Sequence, residues 1–299
     1  DNPQKLAVVG AGPAGLAFAT TAAGRGHRVT LFDAASEIGG QFNLAKKIPG
    51  KQEFYETLRY YARQLEITGV DVKLNTTVSV EDLNTDDFDQ VIMATGILPR
   101  TPEIEGIDHK KVLSYIDVIK GAKVGKSVAV IGAGGIGFDV CEFLTHGDAD
   151  SSQDIPTFMA KWGVDMTMQA RGGIAGIKKK LDSSPREVYL LQRKSSKVGA
   201  GLGKTTGWIH RADLQMKGVK MMNNCDYKKI DDEGLHISIN GEAKLLEVDH
   251  VVICAGQLPR RELQHDIDKP QHLIGGADVA SELDARRAID QATRLASQL

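Results

Sequence analysis

Gly10, Gly12 and Gly15 follow the apolar run Lys5–Val9 at the spacing GxGxxG, and a small-residue stretch from Leu16 to Arg25 comes next. This reads as a strand, a tight turn and the start of a helix. Gly10 permits the turn, Gly12 lets backbone approach a pyrophosphate, and Gly15 lets the helix pack close to the sheet. The helix N-terminus, with Ala14 in its first turn, then offers free N–H groups to phosphate oxygens. A second strand pattern, His27–Phe32, ends at Asp33. A carboxylate there accepts hydrogen bonds from ribose hydroxyls and repels a 2′-phosphate, so it selects an unphosphorylated adenosine, as in FAD or NAD.

The same text returns at residues 126–137, KSVAVIGAGGIG, with Gly132, Gly134 and Gly137 in the glycine places. Its second strand, Val188–Gln192, ends in Arg193 and Lys194 instead of an acid. Arginine can fork a phosphate and lysine adds a point charge, so this end favours a 2′-phosphate and NADPH over NADH. The plainer alternative is two solvated cations on a surface loop.

The elements around these turns also repeat. Residues 90–99, QVIMATGILP, and 250–259, HVVICAGQLP, each close one half. Four motifs in the order A, B, A, B argue for two related βαβ nucleotide-binding domains. Between them, helical spacing covers 51–67 and strand pattern covers 70–80. The second half has a helix-like stretch at 205–217 and strand-like runs at 219–230, 234–240 and 244–249. The chain ends in a strand, His272–Ile274, then GGAD, then a helix from Asp284 to Ser297. Domain boundaries are expected at 1–120 with 265–299, and at 121–264. The stretch 145–186 reads as a long insertion with a polar start, Trp162 and a lysine run at 178–180.

Composition narrows the function classes. With 37 basic and 39 acidic residues the net charge is −2, which leaves no basic field for nucleic acid or an anionic membrane. No apolar run is long enough for a membrane span. Cys141, Cys225 and Cys254 form no CxxC and no ligand spacing, so a reducing, cytoplasmic compartment is expected and no metal site is expected. His146, His210 and His265 have no partners at catalytic spacing and read as structural or surface residues. Trp208, after a Gly/Lys/Thr-rich loop, reads as a partly buried core residue, or as a cover for a nicotinamide or an interdomain surface. The lysine run reads as a solvated face, or as a contact for CoA phosphates.

The order GxGxxG, acid, Gly39-Gly40, ATG, second GxGxxG, strand-end Arg, AGxxP, GGAD resembles the two-dinucleotide flavoprotein reductases, such as glutathione reductase and thioredoxin reductase. The resemblance covers essentially the whole chain. It implies an α/β protein of two Rossmann-like dinucleotide-binding domains, with an NADPH domain inserted into a discontinuous FAD domain. It departs from the disulfide reductases of the family, because Gly40 is followed by Gln41, Phe42 and Asn43 with no cysteine pair. Asp139 also stands where many of these enzymes have Glu. The texts EIGGQFNLAKKIPGKQEF, RKSSKVGAGLGKTTGW and GGADVASELDARRAI are similar to the C-terminal FAD/NADPH module of bacterial 2,4-dienoyl-CoA reductases, which are relatives of trimethylamine dehydrogenase.

That resemblance implies a fragment of a longer chain, with an N-terminal TIM barrel holding FMN and a 4Fe-4S cluster as the electron-accepting partner module. The expected role is hydride transfer from NADPH to FAD, then single electrons onward for reduction of unsaturated fatty acyl-CoA in β-oxidation. No catalytic side chain is expected, because the hydride passes between cofactors. Gly10, Gly12, Ala14, Gly15 and Asp33 should hold FAD. By resemblance Gly40, Gln41 and Lys51 lie near its ribose and phosphates, Val78 meets adenine through its backbone from a strand, Thr95 and Gly96 pass under the cofactor, and Asp278 bonds the ribityl chain. A solvated lysine and a core valine are the bland alternatives for Lys51 and Val78. Gly132, Gly134, Gly137, Arg193 and Lys194 should hold NADPH. Two other functions stay open: a stand-alone NAD(P)H–ferredoxin-type reductase, and a non-catalytic nucleotide-binding module.

Overall fold

The computed structural model describes residues 2–147, 153–181, 183–264, 266–281 and 284–299. His265 and part of the polar start of the insertion lie outside the described residues. The chain divides into two compact units. The first comprises residues 1–46, 52–100 and 256–299, and the second comprises 47–51 and 101–255. The divisions therefore fall near 100 and 255, earlier than the expected 120 and 264. The strand Val112–Ser114 explains the first difference, since it pairs with His250–Ile253 inside the second unit.

The first unit is built on a five-stranded parallel sheet. Lys5–Val9 lies at its centre between Arg28–Phe32 and Gln90–Met93, and Asp71–Lys73 and Gln271–Leu273 form the edges. Leu6, Ala7 and Val8 are fully buried, as a central parallel strand covered on both faces requires. The glycine-turn helix Pro13–Gly24 starts on a proline, which fits a first turn whose N–H groups are unpaired anyway. It packs against the C-terminal helix Ala285–Gln298 and against Glu53–Thr68. Ala288, Ala292 and Ala296 recur every fourth residue on the C-terminal helix and are all buried, so the two helices can approach closely. Phe18, fully buried in this layer, contributes about 2 kcal/mol by leaving water. Asp284 caps the C-terminal helix by accepting from the Arg287 N–H at 2.7 Å.

The second unit repeats the plan. Ser127–Ile131 is central, with His250–Ile253 on one side and Glu187–Leu191 on the other. Val112–Ser114 and Lys220–Met222 are the edges, and every pairing is parallel. An antiparallel meander, Cys225–Asp231, Gly234–Ile239 and Glu242–Leu246, precedes the strand His250–Ile253. Its Ile230, Leu235, Ile237 and Leu246 share a buried cluster with Ala129, Ile131, Leu191 and Val251 of the parallel sheet.

The two closing motifs meet each other. Ile97–Pro99 and Gln257–Pro259 pair antiparallel within the first unit, with Leu98 opposite Leu258. In the insertion, the helix Ile155–Trp162 is capped by Asp154 and ends at Gly163 in the left-handed region.

Candidate dinucleotide sites

Both glycine turns are built by the same two close approaches. Gly10 has φ +108°, and a Cβ there would lie 2.3 Å from the Ala94 carbonyl oxygen; Gly132 has φ +110°, and a Cβ would lie 2.4 Å from the Cys254 carbonyl oxygen. A Cβ at Gly15 would lie 1.8 Å from the Gly10 carbonyl oxygen, and one at Gly137 equally 1.8 Å from that of Gly132. These two pairs are therefore required by backbone packing. Gly12 and Gly134 are different. Each sits at a helix N-cap in extended backbone, and a Cβ would meet nothing closer than 3.9 Å at Gly12 and nothing within 4 Å at Gly134. Nothing in the protein itself requires glycine there: a Cβ at Gly12 would make an ordinary contact with Gly40, and one at Gly134 would stand in open space.

In the first unit Gly40, at φ +52°, faces Gly12 closely enough that a Cβ would lie 3.0 Å from the Gly12 Cα. The Gly39 N–H donates to the Ala11 carbonyl at 2.8 Å and fixes this approach. Asp33 follows the second strand. Its Oδ2 accepts from the Ala11 N–H at 2.7 Å and its Oδ1 from the Ala35 N–H at 2.8 Å. The carboxylate is thus fixed beside the turn, and each oxygen keeps a lone pair for a hydroxyl donor. Ala14 is buried, and Gly275 passes so near that a Cβ on it would lie 2.8 Å from the Ala14 Cβ.

Asp278 is oriented by a relay that the sequence did not reveal. The Gln291 side chain accepts from the Gly275 N–H at 2.8 Å and donates to Asp278 Oδ2 at 2.7 Å. Arg261 donates to the Ala277 carbonyl at 2.6 Å and also to the Asp278 carbonyl. Spacing alone gives no signal for Gln291 or Arg261, because both act across the fold. The Thr95 hydroxyl donates to the Arg260 carbonyl at 2.5 Å, and Gly96 accepts from the Arg260 N–H at 3.0 Å. Gln41 is exposed at the start of the short helix Phe42–Ala45.

Two of the expected contact residues have packing or charge partners of their own. Lys51 belongs to the second unit, where its ammonium meets both oxygens of Asp139 at 2.7 Å. There it pairs with the second glycine-turn helix. Val78 lies outside any strand and is buried with Ala7, Val9, Leu83, Val91 and Met93. The regular strand here is only Asp71–Lys73, and the chain then bends at Asn75, at φ +52°, before the Ser79-capped turn. The Val78 side chain is core, whereas the expected adenine contact concerns its backbone, so only the strand placement differs.

In the second unit, register decides which residue matches Asp33. Gly10 donates to the Phe32 carbonyl at 2.8 Å, and Gly132 donates to the Leu191 carbonyl at 2.9 Å. Asp33 N–H bonds the Lys73 carbonyl at 3.0 Å, and Gln192 N–H bonds the Met222 carbonyl at 3.0 Å. Gln192, outside the strand Glu187–Leu191, therefore holds the place of Asp33, and Arg193 comes one residue later. Arg193, Lys194 and Lys197 are exposed, and none forms an ion pair with a carboxylate among the described residues.

A charged cluster links the insertion helix, the helix Gly207–Met216 and the second glycine-turn helix. Lys161 of the insertion helix meets Asp213 at 2.5 Å, Lys217 meets Asp213 at 2.9 Å, and Lys217 also meets Glu142 on the second glycine-turn helix. Burial pushes both carboxyls up. At Asp213, hydrogen bonds from Glu142, Lys161 and Lys217 outweigh it and hold the carboxyl at about 2. At Glu142, burial and the neighbouring Asp213 win over Lys217 and bring it to about 7.

Other sequence expectations resolve plainly. Trp208 is 65% exposed, with its indole N–H donating to the Thr205 carbonyl at 3.0 Å, so it is not a core residue. The lysines at 178–180 are exposed, and Lys179 lies over the Trp162 ring. The three cysteines are free, and burial pushes all three thiols up, which makes them poor nucleophiles. No helix of the described residues is long and apolar enough to cross a membrane.

Two parallel-sheet units with paired glycine turns define an α/β protein with two Rossmann-like elements of the dinucleotide-binding type. Residues 4–284 match the pyridine nucleotide-disulphide oxidoreductase family, and the chain belongs to it. Membership implies binding of FAD and a nicotinamide dinucleotide, and a flavin-dependent NAD(P)H oxidoreductase module. The chain is 28% identical over 297 residues to a metal reductase of Desulforamulus reducens, covering 97% of this chain and 43% of the relative. It is 30% identical over 290 residues to a cinnamate reductase of Clostridium sporogenes, covering 92% and 36%. Among solved structures, a 2-naphthoyl-CoA reductase complex superposes with a TM-score of 0.80 at 27% identity, over 100% of this chain and 40% of that one. Thioredoxin reductase of T. acidophilum superposes with a TM-score of 0.68 at 17% identity, over 100% and 98%, which is a likeness of fold alone. The chain spans roughly two fifths of the length of the curated relatives named here.

Proposed function

We propose that this chain is the NADPH-oxidising flavoprotein unit of a larger reductase of the 2,4-dienoyl-CoA reductase type. The first unit takes FAD and the second takes NADPH. The observation that carries this reading is the asymmetry between two otherwise matching turns. One ends in a fixed carboxylate, Asp33, and the other in unpaired cations, Arg193 and Lys194.

The residues fit both groups. The bare backbone at Gly12 and the open space at Gly134 admit a pyrophosphate to each helix N-terminus, where first-turn N–H groups lack intrahelical partners. Gly10, Gly15 and Gly40 shape the first turn, and Gly132 and Gly137 the second. Asp33 orients the adenosine ribose of FAD, and the Gln291 relay presents Asp278 to a polyol hydroxyl. Arg193 and Lys194 neutralise the 2′-phosphate of NADPH. Bound FAD supplies the chemistry, accepting a hydride and giving electrons up singly. The electrons go to an FMN and 4Fe-4S module for reduction of an unsaturated acyl-CoA. Likeness to reductases more than twice this chain's length supports such a partner. Three thiols without a disulfide fit a reducing, cytoplasmic setting.

The test is an anaerobic titration of the purified chain with NADPH, and separately NADH, followed by flavin absorbance. Bound FAD that NADPH bleaches much faster than NADH is the expected result. A chain without flavin, or flavin left oxidised by NADPH, would overturn the reading in favour of a nucleotide-binding module.

A further inference from the structure

We propose that Gln192 is the positioning residue for cofactor choice in the second unit: its side-chain amide folds the loop 193–197 into a frame for the 2′-phosphate, at the place where Asp33 excludes one. This rests on the NADPH reading above and names a residue whose role that reading does not contain.

The loop has an unusual division of labour. Most of its carbonyls accept hydrogen bonds from the protein, and its cationic and hydroxyl residues are exposed. Gln192 Nε2 donates to the Lys194 carbonyl at 3.0 Å and to the Ser196 carbonyl at 2.5 Å. The Asn224 N–H donates to the Lys194 carbonyl at 3.0 Å, and the Asn223 side chain donates to the Ser195 carbonyl at 2.6 Å. The Cys225 N–H donates to the Gln192 carbonyl at 3.0 Å, which anchors the root of the loop. Four successive-region carbonyls, those of Gln192, Lys194, Ser195 and Ser196, are thereby occupied.

The electrostatic consequence follows directly. A carbonyl oxygen turned toward a phosphate repels it, and here those oxygens are tied to donors. The side chains of Arg193, Lys194, Ser195, Ser196 and Lys197 are exposed on the same loop. Three of them are cations and two carry hydroxyl donors, a set that suits a phosphate dianion. Asp33, in the matching register, instead uses its oxygens to accept from the backbone of its own turn and loop, and it keeps a negative charge there. A glutamine is the simplest residue that removes that charge and supplies donors. A glutamate at 192 would reverse both effects, since it could not donate to the two carbonyls and would place a negative charge beside the phosphate.

The experiment measures binding of 2′,5′-ADP and of 5′-ADP to the full chain by calorimetry, with FAD bound. It uses wild type, Gln192→Leu and Gln192→Glu. The same proteins are assayed for KM and kcat of flavin reduction by NADPH and NADH. Leucine keeps an apolar stem of similar bulk, one atom shorter, and loses the donor. For Gln192→Leu, 2′,5′-ADP should weaken about tenfold while 5′-ADP is unchanged, the size expected from loosening a hydrogen-bonded frame. For Gln192→Glu the preference should fall further, with the NADPH KM rising and kcat at saturation preserved. Loss confined to one nucleotide is not what general destabilisation gives, and Gln192→Glu decides the matter should Gln192→Leu fold poorly. If wild type prefers 2′,5′-ADP and both variants keep that preference, this inference is wrong and the NADPH reading stands. If wild type binds the two nucleotides equally, the NADPH reading itself is wrong and this inference falls with it.

Discussion

The ammonium of Lys51 lies 2.7 Å from both carboxylate oxygens of Asp139, with 30% and 27% of the two side chains exposed. The pair joins the segment 47–51 to the second glycine-turn helix. A double-mutant cycle with Lys51→Met and Asp139→Asn should give a coupling energy of about 1 kcal/mol in urea unfolding, as expected of a two-oxygen contact that solvent partly screens. The coupling should shrink in high salt. A coupling within error of zero in low salt would show that the contact contributes nothing.

Two alanine substitutions three residues apart should have opposite signatures. Gly15→Ala drives a Cβ into the Gly10 carbonyl oxygen, and should lower stability by about 3 kcal/mol or prevent folding. Gly12→Ala meets ordinary contacts and should fold with nearly unchanged stability, yet lose most of its FAD. Thermal midpoints and flavin content of the two purified variants separate the effects. Full flavin occupancy in Gly12→Ala would contradict the pyrophosphate assignment.

Asp33→Asn keeps one of the two backbone acceptors and removes the charge. FAD affinity should drop about tenfold, the worth of a charged hydrogen bond to a ribose hydroxyl. Reconstitution of the apoprotein with FAD, followed by fluorescence quenching, reads the change. An unchanged affinity would place the ribose elsewhere.

These sites were unequally legible. Gly10, Gly12, Gly15 and Asp33 lie within one βαβ stretch, where local backbone sterics dictate residue type. Their roles follow from spacing. Gln192 did not stand out, because only the parallel register of Glu187–Leu191 with Ser127–Ile131 shows that the strand stops before it. The sequence places Arg193 at the strand end, one residue off. Lys51 and Asp139 are far apart in sequence, as are Asp278 and Gln291 in function if not in number, and no periodicity links them. Val78 reads as strand because its neighbours are β-formers, but the edge strand ends at Lys73 and tertiary packing takes the valine for the core.

Removing Arg193 and Lys194 charges should affect one cofactor only. Arg193→Ser and Lys194→Ser should each raise the NADPH KM about tenfold and leave that for NADH within twofold. Stopped-flow flavin reduction at several salt concentrations checks this, and the wild-type NADPH affinity should fall as salt rises. Equal losses for both nucleotides would refute the 2′-phosphate role.

The buried cluster predicts a pH profile. Asp213 is depressed to about 2 in the fold, so its contribution is present above the ordinary carboxylate range and is lost as pH falls toward about 2. Glu142 is raised to about 7, so its contribution is greatest in acid and declines as pH rises through about 7. Thermal midpoints should therefore decline from pH 5 to pH 8 more in wild type than in Glu142→Gln. Parallel profiles would show that Glu142 titrates elsewhere.

The ribbon of Ile97–Pro99 with Gln257–Pro259 implies an order of assembly. Residues 101–255 are synthesised between its two strands, and the edge strand Gln271–Leu273 and the alanine-faced C-terminal helix come later still. While the ribosome makes the middle of the chain, Gln90–Met93 waits with an unpaired edge and the helix Pro13–Gly24 waits with one apolar side uncovered. The second unit holds all five strands of its parallel sheet within one continuous stretch and can complete its core first. The half of the protein that begins first therefore finishes last, and its open edge is the point where newly made chains are most exposed to misassembly.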